Sequence, residues 1–305
     1  MIDGAEQVAQ QTALAKRQPA PLPRLLTPRQ VSWRAIGVVL AAESGALALA
    51  WATGSLLGSF GLALGAIVVW SVHRRTEAQR AIAGIERARE LIDLNRIDEA
   101  AGLLDEILER RATPPHTRPL AAYNRALVAL RRARFDQARA RLDAVLESGW
   151  LENRRFLQNF APTVHAAAML TAVLQGDLAA AERYHQAGRA SAFDLERHWF
   201  VAESFDLARR ERFAELLDKF ERSWEAIEGT VSGVGIRQLQ LLQAYALTRV
   251  GEREDNYRGL HSGEDIQPLL HGIRAGRFDH LATRWPELRD FMRTHGLLAR
   301  AADEP

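Results

Sequence analysis

The chain contains no cysteine, which excludes disulfides, thiolate metal sites and a thiol nucleophile while leaving the compartment open. It is almost without lysine as well. Lys16 and Lys219 are the only two, so arginine carries the positive charge. The net excess is only +2, and acidic residues interleave with basic ones in nearly every predicted helix, so no nucleic-acid partner is expected. No segment shows the sustained apolar and polar alternation of a strand. A Gly-x-Ser-x-Gly nucleophile elbow is missing. The glycine cluster from Gly229 to Gly235 lacks the lysine and hydroxyl that complete a P-loop, and reads as a connection between helices. Among the nine histidines, the best candidate for a metal or acid-base site is His185, in Glu182-Arg183-Tyr184-His185, with both groups one helical turn apart. A di-iron bundle needs a second Glu-x-x-His pair. None occurs, so neither a metal nor a cofactor is expected, and no enzymatic activity.

What the chain does have is an apolar run from Ala35 to Val72 in which Glu43 is the sole ionisable residue. Trp33, Trp51 and Trp70 mark its ends and middle. Their separations correspond to about 27 to 29 Å at ~1.5 Å per helical residue, close to the ~30 Å of a hydrocarbon core. Indole rings favour the headgroup level, so the spacing predicts a transmembrane helical hairpin over residues 27–75, turning near Thr53-Gly54-Ser55. Thr27-Pro28-Arg29-Gln30 supplies a capping box for its first helix. Arginines flank both outer ends and the turn is uncharged, so both ends should face the cytoplasm. Small residues four apart (Ala41/Gly45, Gly54/Gly58, Gly61/Gly65) predict close helix packing, with homo-oligomerisation through the hairpin as the sharper reading. Glu43 is expected to make an intramembrane contact. Residues 1–26, rich in Gln, Ala and Pro, read as a flexible tail, and 301–305 as another.

From residue 76 to 300 helical periodicity dominates, and one local pattern returns. A turn residue, a polar residue, an apolar residue and an acid or alanine precede a new helix at Asn95-Arg96-Ile97-Asp98, Ala133-Arg134-Phe135-Asp136 and Gly176-Asp177-Leu178-Ala179, followed by Ala100, Ala138 and Ala181. Weaker copies start at Glu211, Gly251 and Gly276. Each should mark the bend of a helix pair. The first three copies resemble the inter-helix turn of tetratricopeptide repeats, and Leu104, Ile107, Leu142 and Val145 fall where that family places apolar second-helix positions. Pro114 and Pro115 lie near its terminating proline. The turns are 25 to 43 residues apart, against a family period of 34, and the usual Trp-x-x-Leu-Gly start is missing.

The expected fold is therefore all-α: a transmembrane hairpin followed by an irregular TPR-like α-solenoid. The resemblance implies a concave groove lined by Glu86, Arg89, Tyr123, Asn124, His198, Phe205, Gln238, Leu242, Tyr245 and Gln267, suited to a protein or peptide partner. The functional expectation is a membrane-anchored scaffold recruiting such a partner at the cytoplasmic face of a bacterial inner membrane, with lipid contact through residues 28–75. Alternatives are a periplasm-facing protein of envelope assembly or secretion, and a transport or enzyme component using Glu43.

Overall fold

The computed structural model describes residues 25–30, scattered positions between 37 and 52, and residues 56–152, 157–190, 196–253 and 266–299. Every regular element among them is helical: α1 (Leu56–Asp93), α2 (Ile97–Glu109), α3 (Arg118–Arg131), α4 (Phe135–Glu147), α5 (Ala161–Gln175), α6 (Leu178–Arg189), α7 (Glu196–Arg209), α8 (Phe213–Glu228), α9 (Gly233–Arg253), α10 (Gln267–Leu270), α11 (Asp279–Ala282) and α12 (Pro286–Thr294). A 3₁₀ turn, Gln158–Phe160, precedes α5.

The pairs form because their turns are built alike. Asn95, Ala133, Gly176 and Glu211 all adopt left-handed backbone, with φ of 63°, 54°, 83° and 58°. In each case the next residue's N–H reaches back to a carbonyl five residues earlier: Arg96 to Leu91 at 2.8 Å, and Arg134 to Ala129, Asp177 to Ala172 and Arg212 to Leu207 at 2.9 Å. These are Schellman closures, which satisfy carbonyls that a helix end otherwise leaves open. The apolar residue that follows starts the next helix, and Phe135 and Phe213 are buried beneath their bends. Asp177 caps α6 by accepting from the Ala180 N–H at 3.0 Å. At Arg96 and Arg212 the guanidinium instead grips the carboxylate three residues on, Glu99 and Glu215.

Stacking of the pairs gives two layers. α1, α3, α5, α7 and α9 each touch the next of that set, while α2, α4, α6 and α8 pack on their own partners. Alanines with no exposed surface, among them Ala88, Ala100, Ala126, Ala138, Ala168, Ala172 and Ala181, line the helix contacts. Small side chains let backbones approach closely. The buried apolar residues form two clusters, one from Ala81 on α1 to Ala168 on α5 and the other from Ala129 on α3 to Leu297 beyond α12.

Two expectations are corrected at this level. Among the described residues no helix is long and apolar enough to cross a membrane. The apolar part of α1 gives way at His73-Arg74-Arg75, and the same helix continues unbroken to Asp93, so it does not supply the ~20 apolar residues of a crossing. The transmembrane hairpin, lipid contact through residues 28–75, oligomerisation through the hairpin and the inner-membrane location fall with it. So does the periplasm-facing alternative, which also required a crossing. Among the described residues close packing of the small residues is not found either: a Cβ built on Gly45, Gly61 or Gly65 would meet no neighbour within 4 Å. Glu43, Trp33, Trp51, Thr53-Gly54-Ser55, residues 1–24 of the first tail and the second tail lie outside the described residues. The capping box is present: Gln30 N–H donates to Thr27 Oγ1 at 3.3 Å, and Thr27 N–H to Gln30 Oε1 at 3.0 Å.

The second correction concerns the expected turn at Gly251. Helix α9 runs through it to Arg253, and Glu254 to Asn256 lie outside the described residues. Gly276 does adopt left-handed backbone, at φ 81°, ahead of the single helical turn α11.

Candidate functional site

The expected groove is not a surface. Phe205, Leu242 and Tyr245 are each no more than 2 % exposed, and Asn124 and Gln238 are buried. The residues that cover part of this face come from the chain's own C-terminal segment: Trp285 packs against Phe205 and Tyr245 with ring centroids 6.5 and 5.8 Å away, and Phe291 against Tyr245 at 5.5 Å. Arg277 donates to the Asp93 carbonyl at the end of α1, at 2.8 Å, and Arg284 to Asp136 at the start of α4, at 3.2 Å. The segment thus ties early and late pairs together. Asn124 spends its amide on the Leu120 carbonyl, and Tyr123 packs edge-on to Phe160 at 4.8 Å. Burial pushes the Tyr123 hydroxyl up to about 12. Glu86, Arg89 and Gln267 are exposed and His198 is half-buried. The ten residues do not form one accessible groove.

The Glu182/His185 pair does not form either. Glu182 accepts from Gln186, while His185 faces Glu203 on α7 at 2.9 Å. Glu203 also accepts from Arg189 at 2.6 Å and from Lys219. Burial raises its pKa, but Lys219 and Arg189 outweigh that and hold the carboxyl below its usual range. Arg189 and Lys219 stack over Trp199 and Phe200 at 5.5 and 5.2 Å. This is a satisfied ionic tie between α6, α7 and α8. Among the described residues no group of three His, Cys, Asp or Glu side chains could hold a metal ion.

A different place gathers groups without opposite charge. Between α1 and the connection from α2 to α3 lies a cleft of about 490 Å³, lined by Leu26, Val38, Trp70, Arg74, Arg111, Thr113, Pro114, Pro115, His116 and Arg118. Its loop wall is stiff. Thr113 Oγ1 donates to the Ile107 carbonyl and Thr117 Oγ1 to the Pro114 carbonyl, both at 2.8 Å, and both threonines are buried. Pro114 and Pro115 fix the backbone between them. On the opposite wall Trp70 and Arg74 lie one helical turn apart, with the guanidinium 5.5 Å from the indole centroid. The third wall is the strap Leu25–Gln30, pinned where Trp150 Nε1 donates to the Leu26 carbonyl at 2.6 Å.

The electrostatics are one-sided. Three guanidinium groups face the cleft, and among the described residues no carboxylate lines it. Arg118 Nη2 donates to the Arg110 carbonyl at 3.1 Å, while its buried Nε has no hydrogen-bond partner among the described residues. Desolvation lowers the Arg118 pKa. His116 is lowered too, first by burial and then by the Arg74 charge, so its imidazole is neutral at pH 7. Arginine stays charged there and presents forked donors suited to oxyanions. Thr113 and Thr117, whose hydroxyls are already donated to carbonyls, are no candidates for nucleophiles.

The sequence contains a signal for this site that charge totals conceal. From Arg110 to Phe135 the chain carries seven arginines and no carboxylate. Trp70, expected at a bilayer interface, and Pro114 and Pro115, expected to end a repeat, are instead walls of the cleft.

No family model matches the chain, and neither the curated proteins nor the solved structures contain a significant match. The tetratricopeptide assignment is therefore corrected: the bends share local geometry, but the period is irregular, the predicted groove residues are largely interior, and no family likeness supports the name. The membrane-anchored scaffold recruiting a partner through that groove is given up with it.

Proposed function

We propose that this all-α protein is a binding protein for an anionic ligand, held in the cleft between α1 and the Arg110–Arg118 connection, and that it performs no bond-making or bond-breaking of its own. The observation that carries the reading is the convergence of Arg74, Arg111 and Arg118 on a concave site whose described lining residues include no carboxylate. Several arginines elsewhere are matched instead: Arg125 with Asp105, Arg139 with Asp177 and Arg210 with Asp206. A site walled by low-dielectric side chains concentrates the field of uncompensated charges and draws in counter-ions. Charge-assisted hydrogen bonds to such an anion are worth about 1.5–3 kcal/mol each.

The absence of chemistry rests on the residue types. Guanidinium groups do not exchange protons near neutrality, and the described lining residues include no nucleophile activated by a base. Among them His116 alone could move a proton.

Calorimetric titration of the full chain with small carboxylates and inorganic phosphate tests the reading. An Arg111→Gln/Arg118→Gln double variant should bind at least tenfold more weakly than the native chain, and added salt should weaken native binding. If no anion binds, or the double variant binds every anion as well as the native chain, the reading is wrong.

A further inference from the structure

The two firm walls of the cleft have the same polarity pattern. On α1 an aromatic face, Trp70, sits one turn from a guanidinium, Arg74, which stacks on it. On the loop Pro114 and Pro115 are flanked in sequence by Arg111 and Arg118, and all four line the cleft. Each wall therefore offers an apolar surface beside a cation. A bare oxyanion would use only the cations. It would leave most of a cleft of about 490 Å³, a volume in the range of drug-sized ligand sites, filled with water against indole and pyrrolidine rings.

We infer that the ligand is a small organic acid with one compact oxyanion head and a flat apolar body, the head held by the arginines and the body lying against Trp70 and the two prolines. Flat rings fit these surfaces because indole stacks with planar groups in offset or edge-on arrangements, and prolines give a rigid wall that costs no side-chain entropy. The inference rests on the anion-binding reading and adds the chemistry of the body.

Leu26 closes the third side, and the strap that carries it is fastened to the segment just after α4 by the Trp150 bond. Val38 extends the apolar lining. A body that reaches Leu26 steadies the strap. An anion confined to the arginines leaves it unchanged.

The test uses the full chain and four probes: 2-naphthoate, its neutral isostere 2-naphthamide, decanoate and inorganic phosphate. 2-Naphthoate should bind at least tenfold more tightly than each of the others, and should slow amide exchange at residues 25–30, which phosphate should not. Trp70→Ala, at a position only half-buried on α1, should cost naphthoate about tenfold and change phosphate affinity less than twofold, with helical circular dichroism unaltered. Phosphate binding as tightly as naphthoate overturns this inference and leaves the anion site standing. Decanoate equal to naphthoate overturns the flat body, and naphthamide equal to naphthoate overturns the anionic head together with the proposed function. Failure of all four probes removes both.

Discussion

Tyr245 and Trp285 meet edge to face, ring centroids 5.8 Å apart and planes at 86°. Tyr245 is 2 % exposed and Trp285 3 %, and Trp285 also lies under the Arg209 guanidinium at 4.9 Å. One indole thus joins α7, α9 and the start of α12. Truncation to alanine removes that contact and leaves a void that packed neighbours fill only in part. Trp285→Ala should lower the unfolding free energy by about 3–5 kcal/mol, read from urea denaturation, and should speed amide exchange in α12 more than in α2.

The local part of this architecture is legible in the sequence, and the long-range part is not. Asn95, Ala133, Gly176 and Glu211 stand where the repeated pattern places bends, because a Schellman closure is encoded within about six residues. Gly251 carries the same glycine signal, but α9 continues through it, and tertiary context overrides such a weak preference. The groove fails for a different reason: Phe205 and Tyr245 have the spacing of exposed first-helix positions, and nothing local to them reveals that Trp285 and Phe291 will cover them. The arginine cleft lies between these cases. Its acid-free stretch can be read directly, but the convergence of Arg74 and Trp70 on it depends on how α1 packs.

The bends make opposite predictions for glycine and alanine. Gly176 has φ 83°, and a Cβ there would lie 3.3 Å from Arg209 Nη2, so Gly176→Ala adds both backbone strain and a tight contact. It should destabilise by about 1–2 kcal/mol. Ala133 already bears the left-handed strain at φ 54°. Ala133→Gly relieves it while adding unfolded-chain freedom, and the two effects nearly cancel, leaving a change of about 0.5 kcal/mol or less in either direction. The difference between the two urea midpoints checks the argument, and equal losses would refute it.

Glu203 is shared by His185, Arg189 and Lys219. Removing a central acid from a mostly buried cluster takes away one counter-charge of these cations, which costs more than the pair itself contributes. Glu203→Ala should lose about 2–4 kcal/mol, less than a fully buried site because the Arg189 side chain keeps 35 % exposure. Lys219→Met in the Glu203→Ala background should recover part of the loss. A double-mutant cycle with no coupling would show that the cluster contributes nothing specific.

His280 predicts acid sensitivity. It is 5 % exposed, its Nε2 has no hydrogen-bond partner among the described residues, and Phe278 lies beside its ring. Burial first, then the Arg131 charge, holds its pKa well below 6.5. The unfolded chain takes up a proton near 6.5 while the folded chain does not, so this stabilisation is full above pH 6.5 and is lost as pH falls below it. The slope is at most about 1.4 kcal/mol per pH unit for one such group. His165 and His295 shift the same way for the same first cause. His280→Leu should flatten the decline between pH 6.5 and 5 without costing stability at pH 8, as measured by unfolding free energy across that range.

His116 gives the cleft its own pH signature. In the free protein it is held below 6.5 by burial and by Arg74, with Arg111 and Arg118 in the same lining and no carboxylate among its described residues. A bound anion opposes each of these charges, so it raises the imidazole pKa, and binding must take up protons wherever the two values straddle the working pH. Affinity therefore increases as pH falls toward and below about 6.5 and is flat at pH 8. Titration in buffers of different ionisation enthalpy should report proton uptake near pH 6 and none at pH 8. His116→Gln should abolish the uptake while retaining affinity at pH 8, since the three arginines remain. Uptake that persists in that variant would assign the proton to another group, and proton release would contradict the sign of the argument.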